Sequence, residues 1–340
     1  MAGAAILGCL GTGLSQDEKQ FFRDADPWGF IVFARNLETP DQIRALTQEM
    51  RDCVGRDAPI LIDQEGGRVQ RLRAPNWMEW LPALDQMKAT KPGQSQRAMW
   101  IRYRLIADEL RDLGIDVNCA PMLDVATDQV HEVIQNRCYG RDAQTVALAG
   151  RAVADGLLAG GVLPILKHIP GHGRPVTDSH LELPHTDAAT HDLKAVDFAA
   201  FKVLADLPMA MTGHVVYSAF DSENCATLSP TIINLIRDEI GFDGLLMTDD
   251  ISMNALSGNF TNRSRAALDA GCDLILHCHG HMHEMVDVMN AAGTLSGKAA
   301  KRADRALGYR SEVGEIDRAA LLAELADLLM IPVDGAEPKQ

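Results

Sequence analysis

The chain has 340 residues, 46% of them hydrophobic and 23% charged, with 47 Asp plus Glu against 32 Lys plus Arg and a net charge of −15. This hydrophobic share supplies a sizeable core and excludes a disordered chain. The acidic balance repels phosphate backbones and anionic bilayers, so neither nucleic acid nor membrane is expected as a partner, and no run reaches the roughly 18 apolar residues of a membrane span.

The opening residues 1–10 are apolar, but no basic residue precedes them and the run is too short for a signal peptide, so they read as a first core strand. Eight short apolar runs follow one another along the chain, centred on Ile6, Ile31, Leu61, Val117, Leu166, Met211, Met247 and Ile275, with helical patterns between them. This is the signature of βα units, and eight such units predict closure into a single-domain (β/α)8 TIM barrel spanning residues 1–340. Thr39-Pro40 and Ser229-Pro230 each place a capping hydroxyl before a proline suited to a first helical turn. Residues 105–113 and 146–158 carry apolar side chains at three- and four-residue spacing, predicting helices laid against the sheet. Beyond Leu276 the chain continues through helical segments to an apolar patch at 321–331 and a polar tail at 334–340. The seven cysteines are scattered, form no C-x-x-C, and read as reduced thiols of a cytoplasmic protein, expected to be a monomer.

In a barrel the active site lies at the C-terminal ends of the strands, so the polar residues closing each run are the candidates. Asp63, Lys167, His168, His214 and the pair Asp249-Asp250 stand at such positions. Because successive strand residues face opposite ways, Asp249 is expected to point into the barrel mouth and Asp250 to hold the loop or cap the following segment; the pair also fits two plain helix caps. Glycoside hydrolysis needs one carboxylate at the anomeric centre and a second group to protonate the leaving oxygen. Asp249 suits the first role. His180 suits the second, with Asp178 two residues earlier to orient its ring, on a Gly- and Pro-rich loop over 168–180. Read alone, this triplet also fits a surface-loop histidine. The segment 63–71, DQEGGRVQR, supplies polar groups for a polyhydroxylated ligand: Asp63 to accept from sugar hydroxyls, and Arg71, with Arg137 and Lys167, to donate. Those arginines equally fit surface ion pairs, with Gly66-Gly67 a plain turn.

The motifs together resemble the single-domain, NagZ-type β-N-acetylhexosaminidases of glycoside hydrolase family 3. The resemblance rests on DQEGGRVQR at 63–71, APMLDV at 120–125, NRCYG at 136–140, KHIPGHG at 167–173, DSH at 178–180, MTGHVVY at 211–217, ATLSP at 226–230 and TDDISM at 248–253. It implies a retaining enzyme without metal or other cofactor, with Asp249 as nucleophile and His180 as general acid/base partnered by Asp178. Asp63, Arg71, Arg137, Lys167 and His168 would bind the non-reducing N-acetylglucosamine, with His214 at its edge. The implied role is removal of that sugar from 1,6-anhydromuropeptides in cell-wall recycling. Departures are local: Cys225 stands where proline is usual, Cys138-Tyr139 replace a small residue and phenylalanine, and Arg174 is bulky for its loop. The run HCHGHMH at 277–283 is not expected from the resemblance, and its alternating histidines keep a metal-dependent barrel hydrolase as a rival. A non-catalytic sugar-binding barrel is a second rival, whose mark would be a missing nucleophile or acid.

Overall fold

Each of the eight apolar runs forms a strand: β1 Gly3–Leu7, β2 Pro27–Val32, β3 Ile60–Ile62, β4 Val117–Asn118, β5 Leu163–Ile169, β6 Met209–Thr212, β7 Leu245–Asp250 and β8 Leu274–His277. The computed structural model describes residues 1–127, 130, 132–175, 183–311 and 313–330. Every barrel strand pairs in parallel with its neighbours, and β8 returns to β1 with Ala5 opposite Ile275, closing the sheet on itself. The two faces are read off by period-two alternation. Ile6, Ile31, Leu61, Val117, Ile165, Met209, Met247 and Leu276 fill the barrel interior, while Ala5, Leu7, Phe30, Ile60 and Leu246 pack outward under the helices.

The principal helices are α1 Gln16–Ala25, α2 Pro40–Val54, α3 Ser95–Asp112, α4 Ala143–Ala159, α5 Phe198–Val203, α6 Pro230–Leu235, α7 Phe260–Ala270, α8 Met282–Ala292, α9 Gly297–Leu307 and α10 Arg318–Leu328. The predicted caps form: Thr39 Oγ1 accepts from the Gln42 amide at 3.3 Å and Ser229 Oγ from the Ile232 amide at 3.2 Å. α3 starts ten residues before the apolar spacing at 105 that announced it, because its first turns carry polar residues outward beside buried Ala98 and Met99. The C-terminal apolar patch becomes α10, which lies on α3 through buried Leu325 and an Arg97–Glu324 pair at 2.6 Å. No described helix is long and apolar enough to cross a membrane.

Candidate active site

The strand ends gather most of the predicted polar residues around one cavity at the barrel mouth, the place where a closed barrel carries its site. Asp63, Arg71, Arg137, Lys167, His168 and Asp249 all line it, and Ile31, Phe33, Met211 and Leu276 supply its apolar surface. Asp249 takes this place because Met247, two residues earlier on β7, already faces the barrel interior. Asp250 also reaches the rim, but its oxygens are spent on the loops: Oδ1 accepts from the Ser252 and Cys278 amides at 3.0 and 3.2 Å, and Oδ2 from the Ser252 hydroxyl at 2.5 Å. One Asp249 oxygen accepts from the Asp250 amide at 2.8 Å. Burial raises the pKa of Asp249, but His168, His214, that amide and Lys167 together pull it below the ordinary carboxylate value. The group is therefore ionised at neutral pH.

Beside it runs an alternating ladder of charge. Arg71 Nη2 donates to Asp63 Oδ2 at 3.0 Å, and Lys167 Nζ bridges Asp63 Oδ1 at 2.9 Å and Glu65 Oε1 at 2.6 Å. Arg137 then closes on Glu65 in a two-pronged contact, Nε to Oε2 at 2.9 Å and Nη2 to Oε1 at 2.8 Å. Lys167 is 2% exposed and Glu65 4%, so each ion depends on its partners for compensation. Burial alone would push the Glu65 carboxyl up; Arg137 and Lys167 outweigh it and hold the group down at about 2. Burial likewise lowers Lys167, and Asp63 with Glu65 reverses the sign, keeping the ammonium charged. The two arginines are thus mouth residues locked to carboxylates, and not the surface ion pairs that composition also allowed.

Local backbone explains why Glu65 can be there. Gly66 sits at φ +108, and a Cβ on it would lie 1.8 Å from Arg102 Nη2, so only glycine fits. Arg102, buried in α3, donates to the Glu65 carbonyl and to Gln86 Oε1 at 2.6 Å, while the Tyr103 hydroxyl donates to the same carbonyl at 3.2 Å.

On the other wall, Asp124 organises the histidines. Its Oδ1 accepts from the His168 and His172 amides at 3.2 and 2.6 Å, and its Oδ2 meets His168 Nδ1 at 2.7 Å. His214 stands behind the wall instead of at the cavity edge. It is fully buried, its Nε2 donates to the Asp250 carbonyl at 3.1 Å, and its Nδ1 meets the Thr227 hydroxyl at 2.7 Å. Both nitrogens being engaged within the protein, it positions the end of β7 and leaves no group for a sugar. Asp178 and His180 lie outside the described residues. Arg174 Nε donates to Asp197 Oδ2 at 2.6 Å, which gives this bulky side chain a structural reason.

The model of the glycosyl hydrolase family 3 N terminal domain matches residues 7–306. The chain belongs to glycoside hydrolase family 3. This hydrolase is 35% identical over 325 residues to a β-hexosaminidase of Methylococcus capsulatus, covering 94% of each chain. It is 35% identical over 284 residues to another from Bordetella avium, covering 82% of this chain and 81% of that one. Among solved structures, NagZ from Neisseria gonorrhoeae in complex with N-trifluoroacetyl-D-glucosamine superposes with a TM-score of 0.85 at 29% identity, over 96% of this chain and 98% of that one. The chain is accordingly a glycoside hydrolase of the β-hexosaminidase kind.

Three residues of the hexosaminidase mouth were not singled out by sequence: Glu65, Asp124 and His172. Each lay inside a motif already marked. Glu65 follows Asp63 by two residues, Asp124 is the fifth residue of APMLDV, and His172 is the sixth of KHIPGHG. His172 lines the cavity, and neither of its ring nitrogens has a partner among the described residues.

Proposed function

We propose that the chain removes non-reducing β-linked N-acetylglucosamine from peptidoglycan-derived 1,6-anhydromuropeptides through a covalent glycosyl-enzyme. The observation that carries this reading is Asp249, an ionised carboxylate lining the mouth cavity among groups that hydrogen-bond hydroxyls and acyl oxygens. An Asp249 oxygen forms a bond to the anomeric carbon as the glycosidic bond breaks. The leaving oxygen takes a proton from His180, whose imidazolium Asp178 supports. Water then attacks the same carbon, gives its proton to His180 and frees the Asp249 carboxylate. Asp63, Arg71, Arg137, Lys167 and His168 hold the sugar. In this ladder Lys167 and Arg71 set the orientation of Asp63, and Glu65 that of Arg137, so the donors are preorganised before substrate arrives. Seven buried, unpaired cysteines suit a reducing compartment, in keeping with a cytoplasmic site of action.

The test is mass spectrometry of the intact enzyme after reaction with a fluorosugar that slows breakdown of the glycosyl-enzyme. Label on Asp249 is the expected result. Turnover of aryl β-N-acetylglucosaminides with no label, and with Asp249→Asn still active, would hand the attack to the substrate's own acetamido group. For His180→Ala, cleavage of the natural disaccharide is expected to fall about 100- to 10,000-fold while formation of the glycosyl-enzyme from a dinitrophenyl glycoside is nearly spared. Equal losses on both substrates would remove His180 from the acid role.

A further inference from the structure

The histidine run at 277–283 plays no part in the chemistry proposed for the mouth, and its geometry points elsewhere. Alternation at the end of β8 turns Leu276 and Cys278 to the cavity, which sends His277 and His279 to the opposite side, against the first turn of α8. There they meet one carboxylate. His277 Nε2 lies 2.8 Å from Glu284 Oε2 and His279 Nδ1 lies 3.5 Å from the same oxygen. One ligand atom from each of the three residues falls within 4.8 Å of the others. A tetrahedral ion with bonds near 2.0–2.2 Å holds its ligand atoms roughly 3.3 Å apart, and the two measured edges bracket that value.

The hydrogen bonds around His279 set its tautomer. The Ser252 hydroxyl donates to Asp250 Oδ2 at 2.5 Å, so its oxygen accepts from His279 Nε2 at 3.1 Å. With the proton on Nε2, the bare lone pair of Nδ1 faces the Glu284 carboxylate. In the neutral ring this sets a lone pair against a carboxylate, a repulsion that a second ring proton or a metal ion between the two atoms removes. The Ser252–Asp250 pair is also the kind of outer partner that orients a metal-binding imidazole.

We propose that His277 Nε2, His279 Nδ1 and Glu284 bind a divalent transition ion of the zinc class, with the fourth position left to water or to His283. Two imidazoles and a carboxylate suit zinc, cobalt or nickel, and not the all-oxygen preference of calcium or magnesium. His283 Nε2 is already 4.0 Å from Glu284 Oε1. The ion would tie the segment after β8 to α8 and, through Ser252, to the loop after β7. His277 Nδ1 is buried with no partner among the described residues, so one outer hydrogen bond is missing. Such a loss costs about 10- to 100-fold in affinity, which, counted from the weak end of structural zinc sites, puts the dissociation constant on the order of a micromolar.

Isothermal titration of the EDTA-stripped full chain with zinc chloride tests this, with melting followed in parallel. One equivalent is expected to bind and to raise the melting temperature. His279→Ala, at a half-exposed position that tolerates truncation, and Glu284→Gln are each expected to weaken binding at least about tenfold. Asp249→Asn is expected to leave it unchanged. The proposal is overturned if zinc does not bind at about 100 µM, a hundred times the expected constant. It is also overturned if His279→Ala and Glu284→Gln bind as the parent does. Loss of binding in Asp249→Asn would move the ion to the mouth, and loss only in the His281→Ala/His283→Ala double variant would move it to exposed side chains; either overturns the site. None of these readouts depends on the identity of the sugar substrate.

Discussion

Replacing Glu65 by Gln keeps the shape of the side chain and deletes the charge that Arg137 and Lys167 share. Arg137 would lose its two-pronged partner, with contacts at 2.9 and 2.8 Å, while Lys167 would keep Asp63 at 2.9 Å. Removing one member of a buried ion pair costs about 3–5 kcal/mol. Since Asp63 still compensates Lys167 and the Gln oxygen still accepts one bond, the lower end, about 3 kcal/mol, applies. Unfolding entropy near 2.1 cal/mol/K per residue gives roughly 0.7 kcal/mol/K for a chain of 340 residues, so melting should fall by about 4 °C. Arg137, no longer held, should raise KM for an aryl β-N-acetylglucosaminide roughly tenfold with kcat changed less than about threefold, the pattern of lost uniform binding. The control is Glu79→Gln. Its partner Arg73 is 2.8 Å away but both are nearly half exposed, so a change within about 1 kcal/mol is expected. Calorimetry and steady-state kinetics on both variants decide the matter. Equal melting of the two, with KM unmoved, would refute the claim that this ladder is under electrostatic load.

Burial, reinforced by His168, holds the His172 imidazole down at about 4, against an ordinary value near 6.5. The unfolded chain therefore binds a proton that the folded one refuses, and this contribution is fully present above about pH 6.5 and is lost as pH falls toward 4, at up to about 1.4 kcal/mol per pH unit. Melting of His172→Gln across that window should show a shallower slope than the parent; identical slopes would refute it. Glu65, held down at about 2, adds a second acid loss that begins only below its ordinary value near 4.5. Gly66→Ala should cost more than about 3 kcal/mol in urea denaturation, through both the clash with Arg102 and its positive φ, whereas Gly55→Ala, at φ +61 with nothing within 4 Å, should cost about 1–3 kcal/mol. Similar costs at the two sites would show that the Arg102 contact relaxes freely. Exhaustive EDTA is expected to leave turnover of the aryl substrate intact, because Asp63 and Glu65 each already hold two cationic side chains. Loss of turnover restored by zinc would contradict this.

The barrel was legible in the sequence because its evidence is local. A run such as that around Met247 declares a strand by itself, and alternation within β7 distinguishes Asp249, turned into the cavity, from Asp250, which reaches its rim but bonds to the loops, without knowledge of any other segment. The caps at Thr39 and Ser229 are equally local, each an oxygen meeting an amide three residues on. Which charge meets which was decided only by the closed sheet. Lys167 reaches Asp63 across 104 residues and Arg137 reaches Glu65 across 72, and nothing in either neighbourhood names the partner. His214 shows the same limit from the other side: a polar residue at a strand end reads as a ligand for substrate, yet here Thr227 and the Asp250 carbonyl take both nitrogens. Residue types and spacing determine which groups arrive at the mouth. Only the tertiary structure determines which of them spend their hydrogen bonds on one another, because a buried polar group bonds to whatever the fold brings within reach.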